Sequence, residues 1–521
     1  MKYKPDSAPA GSWRASLTAF LQARVIAMLF LGFSAGVPIL LIFSSLGLWL
    51  REAGVDRSAV TFFSWAALGY SFKFVWAPLV DRLPLPWLSA RFGRRRGWLL
   101  LAQLAIIGSL VLMAMTDPAA GRASLTLMAL AAVLLGFSSA TQDVVIDAYR
   151  IEAAPPELQA LMSSTYIAGY RVGMLVAGAG ALFLAGSLGS EAGAYSYAAW
   201  RTTYLVMGLV MLIGVLTTLL ITEPDDHALR SHFDAAEHLR FLLLFAVSVL
   251  TFILVFAVTG RYLPLLREIL APLLLTGDAL AGFLSEAVRL TVAATLAGLL
   301  ARFAIQRHWV NQTLVRQSYV DPVRDFFARY PHGLAWLLLA LVGLYRISDI
   351  VLGVISNVFY QDMGFSKEEI ATVVKSFGLF MTLAGGFIGG LMCVRYGVMR
   401  ILFLGALLSA VTNLLFMLLA GMGDNLPMLY LVISADNLSG GIASAAFIAF
   451  LSSLTNLSFT AMQYAIFSSL MSLLPKLIGG YSGSMVDNLG YPGFFLLTAL
   501  MGLPILLLVL LAGRYLQTRS V

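Results

Sequence analysis

The sequence has little charge, almost no cysteine and few histidines. Only 12% of its 521 residues are charged, against about 25% in soluble domains. Cys393 is the single cysteine, which excludes an intramolecular disulfide and a cysteine metal cluster. We therefore expect no zinc or redox chemistry, no metal site and no bound cofactor. The five histidines all fall in connecting segments: His227, His232, His238, His308 and His332.

Apolar residues are abundant instead, at 60% of the chain with a mean hydropathy of +0.86. Backbone groups inside a bilayer have no water to bind, so apolar runs of spanning length must form helices. The sequence predicts an all-α polytopic membrane protein with about 14 transmembrane helices and little chain left for a soluble enzyme. The runs cover about 25–50, 58–80, 97–116, 123–149, 158–186, 199–222, 239–259, 279–305, 334–360, 368–392, 399–420, 427–451, 460–485 and 491–513.

The basic residues lie in short loops between the apolar runs. A net charge of +7 would suggest nucleic acid in a soluble protein, but here the charges indicate topology, and we expect no nucleic-acid role. Most Lys and Arg residues fall on the side that holds both termini, so the positive-inside rule predicts cytoplasmic termini. The run Val25–Leu50 is too long for a signal-peptide core and predicts a retained first helix.

The order of the spans predicts two six-helix bundles with a helical pair between them. We expect an N-terminal bundle over 1–222, cytoplasmic connectors with two inserted transmembrane helices over 223–333, and a C-terminal bundle over 334–521. A weak repeat supports this division, because the turn Leu50–Arg57 recurs as Tyr360–Lys367. Parallel repeats build two-lobed transporters with a midplane substrate site. We assign the inserted pair a structural or partner-facing role.

Several motifs occur together and in order across both predicted bundles. This set resembles the AmpG muropeptide permeases of the major facilitator superfamily, although the inserted helices match poorly. The motifs are Trp76-Ala-Pro78-Leu-Val-Asp81-Arg82, Phe92-Gly-Arg-Arg-Arg-Gly-Trp98, Gln142-Asp143-Val-Val-Ile-Asp147, Gly169-Tyr170-Arg171-Val-Gly173, Pro322-Val-Arg324-Asp325 and Asn456-Leu-Ser-Phe459-Thr-Ala461-Met-Gln463.

The resemblance implies a non-enzymatic permease of the bacterial inner membrane. Such a protein imports N-acetylglucosaminyl-1,6-anhydro-N-acetylmuramyl peptides from periplasm to cytoplasm during cell-wall recycling, driven by the proton gradient and without a cofactor. Its partners are the anhydro-muropeptide, protons and the lipid bilayer, with the oligomeric state left open. In some Gram-negative bacteria the cargo also signals β-lactamase induction.

The resemblance also implies a conformational gate in the loops that follow the second span of each bundle. Here the superfamily motif is altered, because Ala77 replaces its glycine and Leu83 to Phe92 divide it. The candidate gating residues are Asp81, Arg82, Arg94, Arg95 and Arg395.

Two carboxylates, Asp143 and Asp147, lie four apart on one predicted helix face, and Arg150 continues that face. A carboxylate inside a span is costly unless it is paired or serves a pathway. We interpret Asp143 and Asp147 as candidates for proton coupling, with Asp143 favoured because it lies deeper. The alternative is a static pair between Asp147 and Arg150.

Cations within spans of both bundles are candidates for binding the carboxylates of a muropeptide: Arg171, Arg346, Lys73 and Lys375. Arginine binds a carboxylate through two parallel hydrogen bonds, which favours Arg171 and Arg346. Pairing with Asp81 is the alternative for Lys73, and pairing with Asp349 is the alternative for Arg346.

Aromatic and amide side chains complete the predicted binding site. They could offer ring faces to sugars and hydrogen bonds to amides, and the alternative is packing between helices. The candidates are Tyr149, Tyr166, Tyr170, Gln142, Asn437 and Gln463.

Three other functions fit parts of the pattern. An acetyl-CoA carrier of a related family would need an Arg- and Lys-rich phosphate site, whereas the cations here are scattered. A membrane enzyme on lipid-linked sugars would cluster its acids and bases near one interface. A muropeptide receptor that does not transport would keep the fold and bind without uptake.

Overall fold

The computed structural model is helical, as the sequence predicts. It describes residues 18–42, 44–55, 70, 72–190, 194–224, 233–262, 268, 278–366, 369–479 and 482–517. Within these ranges, 12 helices are long and apolar enough to cross a membrane. The predicted span 58–80 falls largely outside the described residues, and the predicted span 460–485 is the helix Thr460–Gly479. The prediction of a polytopic, all-helical membrane protein is confirmed.

The chain groups into two compact units. One comprises residues 1–228 with 326–521, and the other comprises 229–325. The assignment of 1–222, 223–333 and 334–521 to two bundles and an inserted segment remains a prediction. In the N-terminal part of the larger unit the helices are α1 (Ala23–Ile42), α2 (Ser44–Glu52), α3 (Ala77–Arg82), α4 (Leu88–Phe92), α5 (Arg94–Ala114), α6 (Arg122–Ala153), α7 (Gln159–Leu175), α8 (Ala181–Ser187), α9 (Tyr197–Val210) and α10 (Leu212–Leu220).

The smaller unit contains two long helices, α11 (Ala235–Gly260) and α12 (Asp278–Gln306). Arg289 of α12 donates a hydrogen bond to the carbonyl of Phe256 at 2.7 Å, and its guanidinium lies 4.2 Å from the centre of that ring. The short α13 (Gln312–Val315) and a π-helical stretch, Arg316–Val320, follow. This unit is therefore a helical hairpin with a helical extension.

In the C-terminal part of the larger unit, a π-helical stretch, Ile370–Phe377, precedes α17, and Gly490, with φ +66°, bends α21. Only glycine adopts this left-handed conformation without strain. The helices are α14 (Asp321–Arg329), whose first residues belong to the smaller unit, α15 (His332–Leu344), α16 (Ile347–Asp362), α17 (Gly378–Tyr396), α18 (Val398–Ala420), α19 (Leu426–Leu454), α20 (Thr460–Gly479) and α21 (Ser482–Gln517).

Glycines let the central helices touch backbone to backbone. In the N-terminal part, α1 crosses α7 so closely that a Cβ atom on Gly32 would lie 2.1 Å from the carbonyl oxygen of Tyr166, and one on Gly169 would lie 1.9 Å from that of Leu29. In the C-terminal part, a Cβ on Gly385 of α17 would lie 2.1 Å from the carbonyl oxygen of Leu438 in α19. Small residues one turn apart permit such crossings in membranes.

Each part of the larger unit also has its own buried core. In the N-terminal part Trp49 stacks on Trp200 with ring centres 5.7 Å apart, and the Trp200 indole donates to the Glu52 carboxylate at 2.7 Å. In the C-terminal part Phe359 packs edge-on against Phe495 at 4.8 Å. Each half therefore has a packed core, and Ile151 and Ala160 of the N-terminal part join the core of the C-terminal part.

We predict that Gly169→Ala destabilises the protein. The new methyl group would overlap the backbone of α1, and overpacking of this kind costs about 1–3 kcal/mol. Gly108→Ala is the matched control, because nothing lies within 4 Å of a Cβ at that position. Thermal unfolding of the purified protein, followed by the loss of monodisperse material, measures the difference. Equal melting temperatures for the two variants would contradict the packing argument.

Candidate functional site

Charged residues at one end of the N-terminal part form a buried network. Arg95, only 1% exposed, donates to Asp81 at 2.8 Å and to both carboxylate oxygens of Glu152 at 2.6 and 2.9 Å. Arg94 donates to the backbone carbonyl of Asp81 at 3.0 Å. These residues and Thr460 of the C-terminal part, which bonds to Glu152, form a group that we call the gate cluster: Asp81, Arg94, Arg95, Glu152 and Thr460.

The gate cluster reaches across to the C-terminal part at the start of α20. The backbone N–H groups of Ala461 and Met462 donate to the Asp81 carboxylate at 3.1 and 2.9 Å, and the Thr460 hydroxyl donates to Glu152 at 2.5 Å. A helix N-terminus presents unpaired N–H groups and a positive dipole end, so it binds a carboxylate favourably. These contacts join the two parts at this end.

Glu223, which follows α10, caps the first turn of α5. Its carboxylate accepts from the backbone N–H groups of Arg95 and Arg96 at 2.7 and 3.0 Å. Burial raises the pKa of Glu223, and the two N–H groups and the neighbouring arginines oppose this rise. The capping fixes the helix end that supplies Arg95.

A second contact between the two parts lies close to the gate cluster. Arg150 of α6 is fully buried and donates to the Ser452 hydroxyl of α19 at 2.8 Å and to Gln159 and Ser163 at 3.1 Å. Its guanidinium also lies 5.2 Å from the ring centre of Tyr464. Arg150 therefore contacts three different helices.

The two predicted proton-coupling carboxylates have different surroundings. Asp147 lies 3.7 Å from the Lys73 ammonium and 3.4 Å from the Arg150 guanidinium. Asp143 accepts a hydrogen bond from the Tyr166 hydroxyl at 3.1 Å. Lys73, in the 3-10 turn Lys73–Val75, thus contacts Asp147 in this structure. We call Lys73, Asp143, Asp147 and Tyr166 the Asp143 cluster.

In the C-terminal part, Arg346 lies between α15 and α16. It pairs with Asp349 at 3.2 Å and donates to the Ser444 hydroxyl at 2.5 Å. The charge of Arg346 also acts on Arg171 of α7, whose side chain is exposed. The structure therefore brings a predicted binding arginine from each part within electrostatic range of the other.

Three predicted binding residues lie in buried contacts between helices. Gln142 is fully buried and accepts from Ser34 of α1 at 3.3 Å. Tyr149 is 1% exposed. Gln463 is also 1% exposed and accepts from Arg329 at 3.0 Å and from the backbone of Asn456 at 2.7 Å. This geometry agrees with packing, the alternative role, and the binding role of these three residues remains a prediction.

The remaining predicted residues have varied positions. Tyr166 and Tyr170 lie one turn apart on α7 with ring centres 6.0 Å apart. Asn437 accepts from Thr382 at 2.8 Å, which links α19 to α17. The side chain of Lys375 lies outside the described residues.

The two gating candidates outside the gate cluster contact aromatic rings. The guanidinium of Arg82 lies 5.6 Å from the ring centre of Phe459, and that of Arg395 lies 5.5 Å from that of Tyr396.

Sequence reasoning missed Glu152, Thr460 and Tyr70. Glu152 and Thr460 are 308 positions apart, so no local spacing signals their contact. The Tyr70 hydroxyl lies 2.5 Å from that of Ser139, one turn before Asp143 on α6. A buried hydroxyl of this kind looks like any other transmembrane tyrosine in the sequence.

The sequence model of the Major Facilitator Superfamily matches residues 25–314 and 337–519. The chain belongs to the major facilitator superfamily. It is 29% identical over 96% of its length to a putative transporter AmpG 4 of Rickettsia conorii, covering 98% of that protein. It is 28% identical over 96% of its length to the anhydromuropeptide permease of Escherichia coli K12, covering 82% of it.

Solved structures of the superfamily share the fold. The proton:xylose symporter XylE aligns with a TM-score of 0.55 at 13% identity, covering 95% of each chain. The transporter FucP, in the outward conformation, aligns with a TM-score of 0.56 at 11% identity over 95% of this chain and 99% of that one. The family and the AmpG-named relatives confirm the predicted resemblance and identify a secondary transporter rather than an enzyme.

We predict that Glu152→Gln loosens the gate cluster. The change leaves Arg95 with less negative charge, and a hydrogen bond to a charged group contributes about 1.5–3 kcal/mol. A cysteine placed at the buried Ala461, in a Cys393→Ala background, should then react with a maleimide at least about tenfold faster. Glu157→Gln is the control, because Glu157 is exposed on the next turn of chain. Unchanged labelling would refute the role given to Glu152.

Proposed function

We propose that this protein is a proton-coupled permease that imports anhydromuropeptides across the bacterial inner membrane for cell-wall recycling, with both termini in the cytoplasm and no cofactor beyond the proton gradient. The observation that carries the proposal is the 28% identity over 96% of the chain to a protein named anhydromuropeptide permease. In a bacterium with an inducible β-lactamase, the imported cargo would also supply the inducing signal.

Substrate binding is assigned to the arginines of the two parts. A muropeptide carries several carboxylates, which need cationic partners once water is removed. Arg171 is exposed on α7, and Arg346 can exchange the carboxylate of Asp349, at 3.2 Å, for one of the substrate. Mutual repulsion between the two arginines disfavours an empty site and favours an anion between them. Tyr170 precedes Arg171 on α7, and the rings of Tyr166 and Tyr170, with centres 6.0 Å apart, suit a sugar face.

Proton coupling is assigned to the Asp143 cluster. Asp147 has two cations within 4 Å, the Lys73 ammonium and the Arg150 guanidinium. Asp143 accepts a hydrogen bond from the Tyr166 hydroxyl, which carries no charge. A carboxylate inside a span that does not form an ion pair is costly unless it serves a pathway, so we assign the gain and loss of the proton to Asp143.

Alternating access is assigned to the gate cluster, which is closed in this structure. Opening this end must break the bonds from Ala461, Met462 and Thr460 to Asp81 and Glu152, together with the bond from Arg150 to Ser452. Water entering the gap would hydrate the same groups, so the net free-energy difference between the closed and open states is small enough for substrate and protons to shift.

We predict that Asp143→Asn abolishes accumulation of labelled disaccharide muropeptide in proteoliposomes with an acid-outside gradient. The amide cannot take up a proton, but the arginine site remains, so substrate exchange without a gradient should persist. Asp424→Asn is the control, because it also replaces a carboxylate by an amide, but at an exposed position. Gradient-driven accumulation retained in Asp143→Asn would refute its coupling role. Binding without uptake by the wild type would contradict transport and favour a receptor.

We predict that Arg171→Lys and Arg346→Lys each raise the KM for uptake about tenfold. Lysine keeps the charge but cannot form the two parallel hydrogen bonds of a guanidinium with a carboxylate. Arg201→Lys, at an exposed arginine of α9, should leave the KM unchanged. If neither binding variant differed from this control, the substrate carboxylates would have to bind elsewhere.

A further inference from the structure

A basic cleft lies at one end of the α11–α12 hairpin. It has a volume of about 580 Å³. Arg240, from the second turn of α11, forms one side, and the end of α12 with the residues after it forms the other. The lining residues, which we call the basic cleft, are Arg240, Phe303, Ala304, Arg307, His308 and Trp309.

Local backbone structure holds the cleft in shape. The N–H groups of Arg307, His308 and Trp309 donate back to carbonyls of α12 at 3.0, 3.0 and 3.1 Å. His308 has φ +55°, the left-handed conformation that ends a helix and is uncommon outside glycine. This turn directs the chain sharply at the helix end and keeps the three residues together.

Cationic side chains dominate the cleft. Arg240, Arg307 and His308 are exposed, and the Arg307 guanidinium lies 5.3 Å from the ring centre of Phe303. The nearest acid on α11, Glu237, already accepts from Asn311 at 2.6 Å and from the backbone N–H of Asp234 at 2.9 Å. Two guanidinium groups beside an engaged carboxylate form an anion site, and guanidinium geometry suits phosphate.

An apolar surface continues from the basic cleft along both helices. Both α11 and α12 contain an apolar stretch of 18 residues, and only 11% of each stretch is buried. Exposed apolar side chains lie within two turns of the cleft, and Trp309, 42% exposed, stands at the end of the apolar stretch, where tryptophan anchors proteins at the membrane interface. These apolar residues are Leu239, Leu242, Leu243, Leu299 and Phe303.

We propose that the basic cleft binds the phosphate headgroup of an anionic phospholipid. Arg240 and Arg307 contact the phosphate oxygens, and the acyl chains lie along the exposed leucines. The sequence predicts that this helix end faces the cytoplasm, where anionic lipids attract basic residues near the membrane surface. A soluble phosphate would meet the same cations but would leave the adjoining apolar surface unused. The proposal does not depend on what the protein transports.

Native mass spectrometry of the full chain in detergent tests the proposal. The probes are dioleoyl phosphatidylglycerol and cardiolipin, with dioleoyl phosphatidylcholine as the zwitterionic reference. We expect selective retention of the anionic lipids by the wild type and a loss of roughly tenfold to thirtyfold in Arg240→Gln/Arg307→Gln, from the contribution of each arginine near a charged surface. Arg240→Lys/Arg307→Lys should retain the selectivity.

Arg302→Gln is the matched control, since Arg302 is an exposed arginine of α12 outside the cleft. Wild-type selectivity in Arg240→Gln/Arg307→Gln, or an equal loss in Arg302→Gln, would overturn the proposal. Displacement of phosphatidylglycerol by millimolar inorganic phosphate or glycerol 3-phosphate would also overturn it, because the site would then recognise a free anion. A melting temperature for each variant separates loss of lipid from loss of fold.

Discussion

A charge buried inside a protein must be matched by partners there, because no water solvates it while the site stays closed. Both halves contribute to this matching in the gate cluster. Arg94 and Arg95 pair with Asp81 and Glu152, and the remaining lone pairs of the two carboxylates accept from the start of α20. The bonds from these two carboxylates therefore attach one half of the transporter to the other, beside the bond from Arg150 to Ser452. A contact built this way can also be released, since water can replace the partner half.

The contacts within each half are of a different kind. Gly32 and Gly169 in one half, and Gly385 in the other, bring helix backbones together over distances that leave no room for a methyl group. Closely packed backbones attract each other by dispersion forces, and water cannot replace these contacts. The glycine crossings therefore persist when the polar contacts between the halves open. Rocking between two states requires rigid halves that are joined by bonds which water can replace. Close backbone packing within each half and polar bonds between the halves meet this requirement.

The fold and part of the candidate site could be predicted from the sequence. Spacing along one helix gave the pairs Asp147–Arg150 and Arg346–Asp349 as alternatives to functional roles, because residues three apart share a helix face, and the structure contains both pairs. It could not assign Gln142 or Gln463 to buried contacts. In a membrane both the lipid and the protein interior are apolar, so hydrophobic periodicity does not tell which face of a helix packs. The bond between Glu152 and Thr460 depends on how the two halves meet, which no local pattern records.

Direct contacts link the Asp143 cluster to a bond between the two halves. Lys73 lies 3.7 Å from Asp147, Asp147 lies 3.4 Å from Arg150, and Arg150 donates to Ser452 of the other half at 2.8 Å. In the coupling role that we propose for Asp143, its protonation would remove the negative charge that competes with Asp147 for Lys73. The pair Lys73–Asp147 would then strengthen and the hold of Asp147 on Arg150 would weaken. Because Arg150 also bonds across to α19, a proton at Asp143 would act on the bond between the two halves through neighbouring side chains.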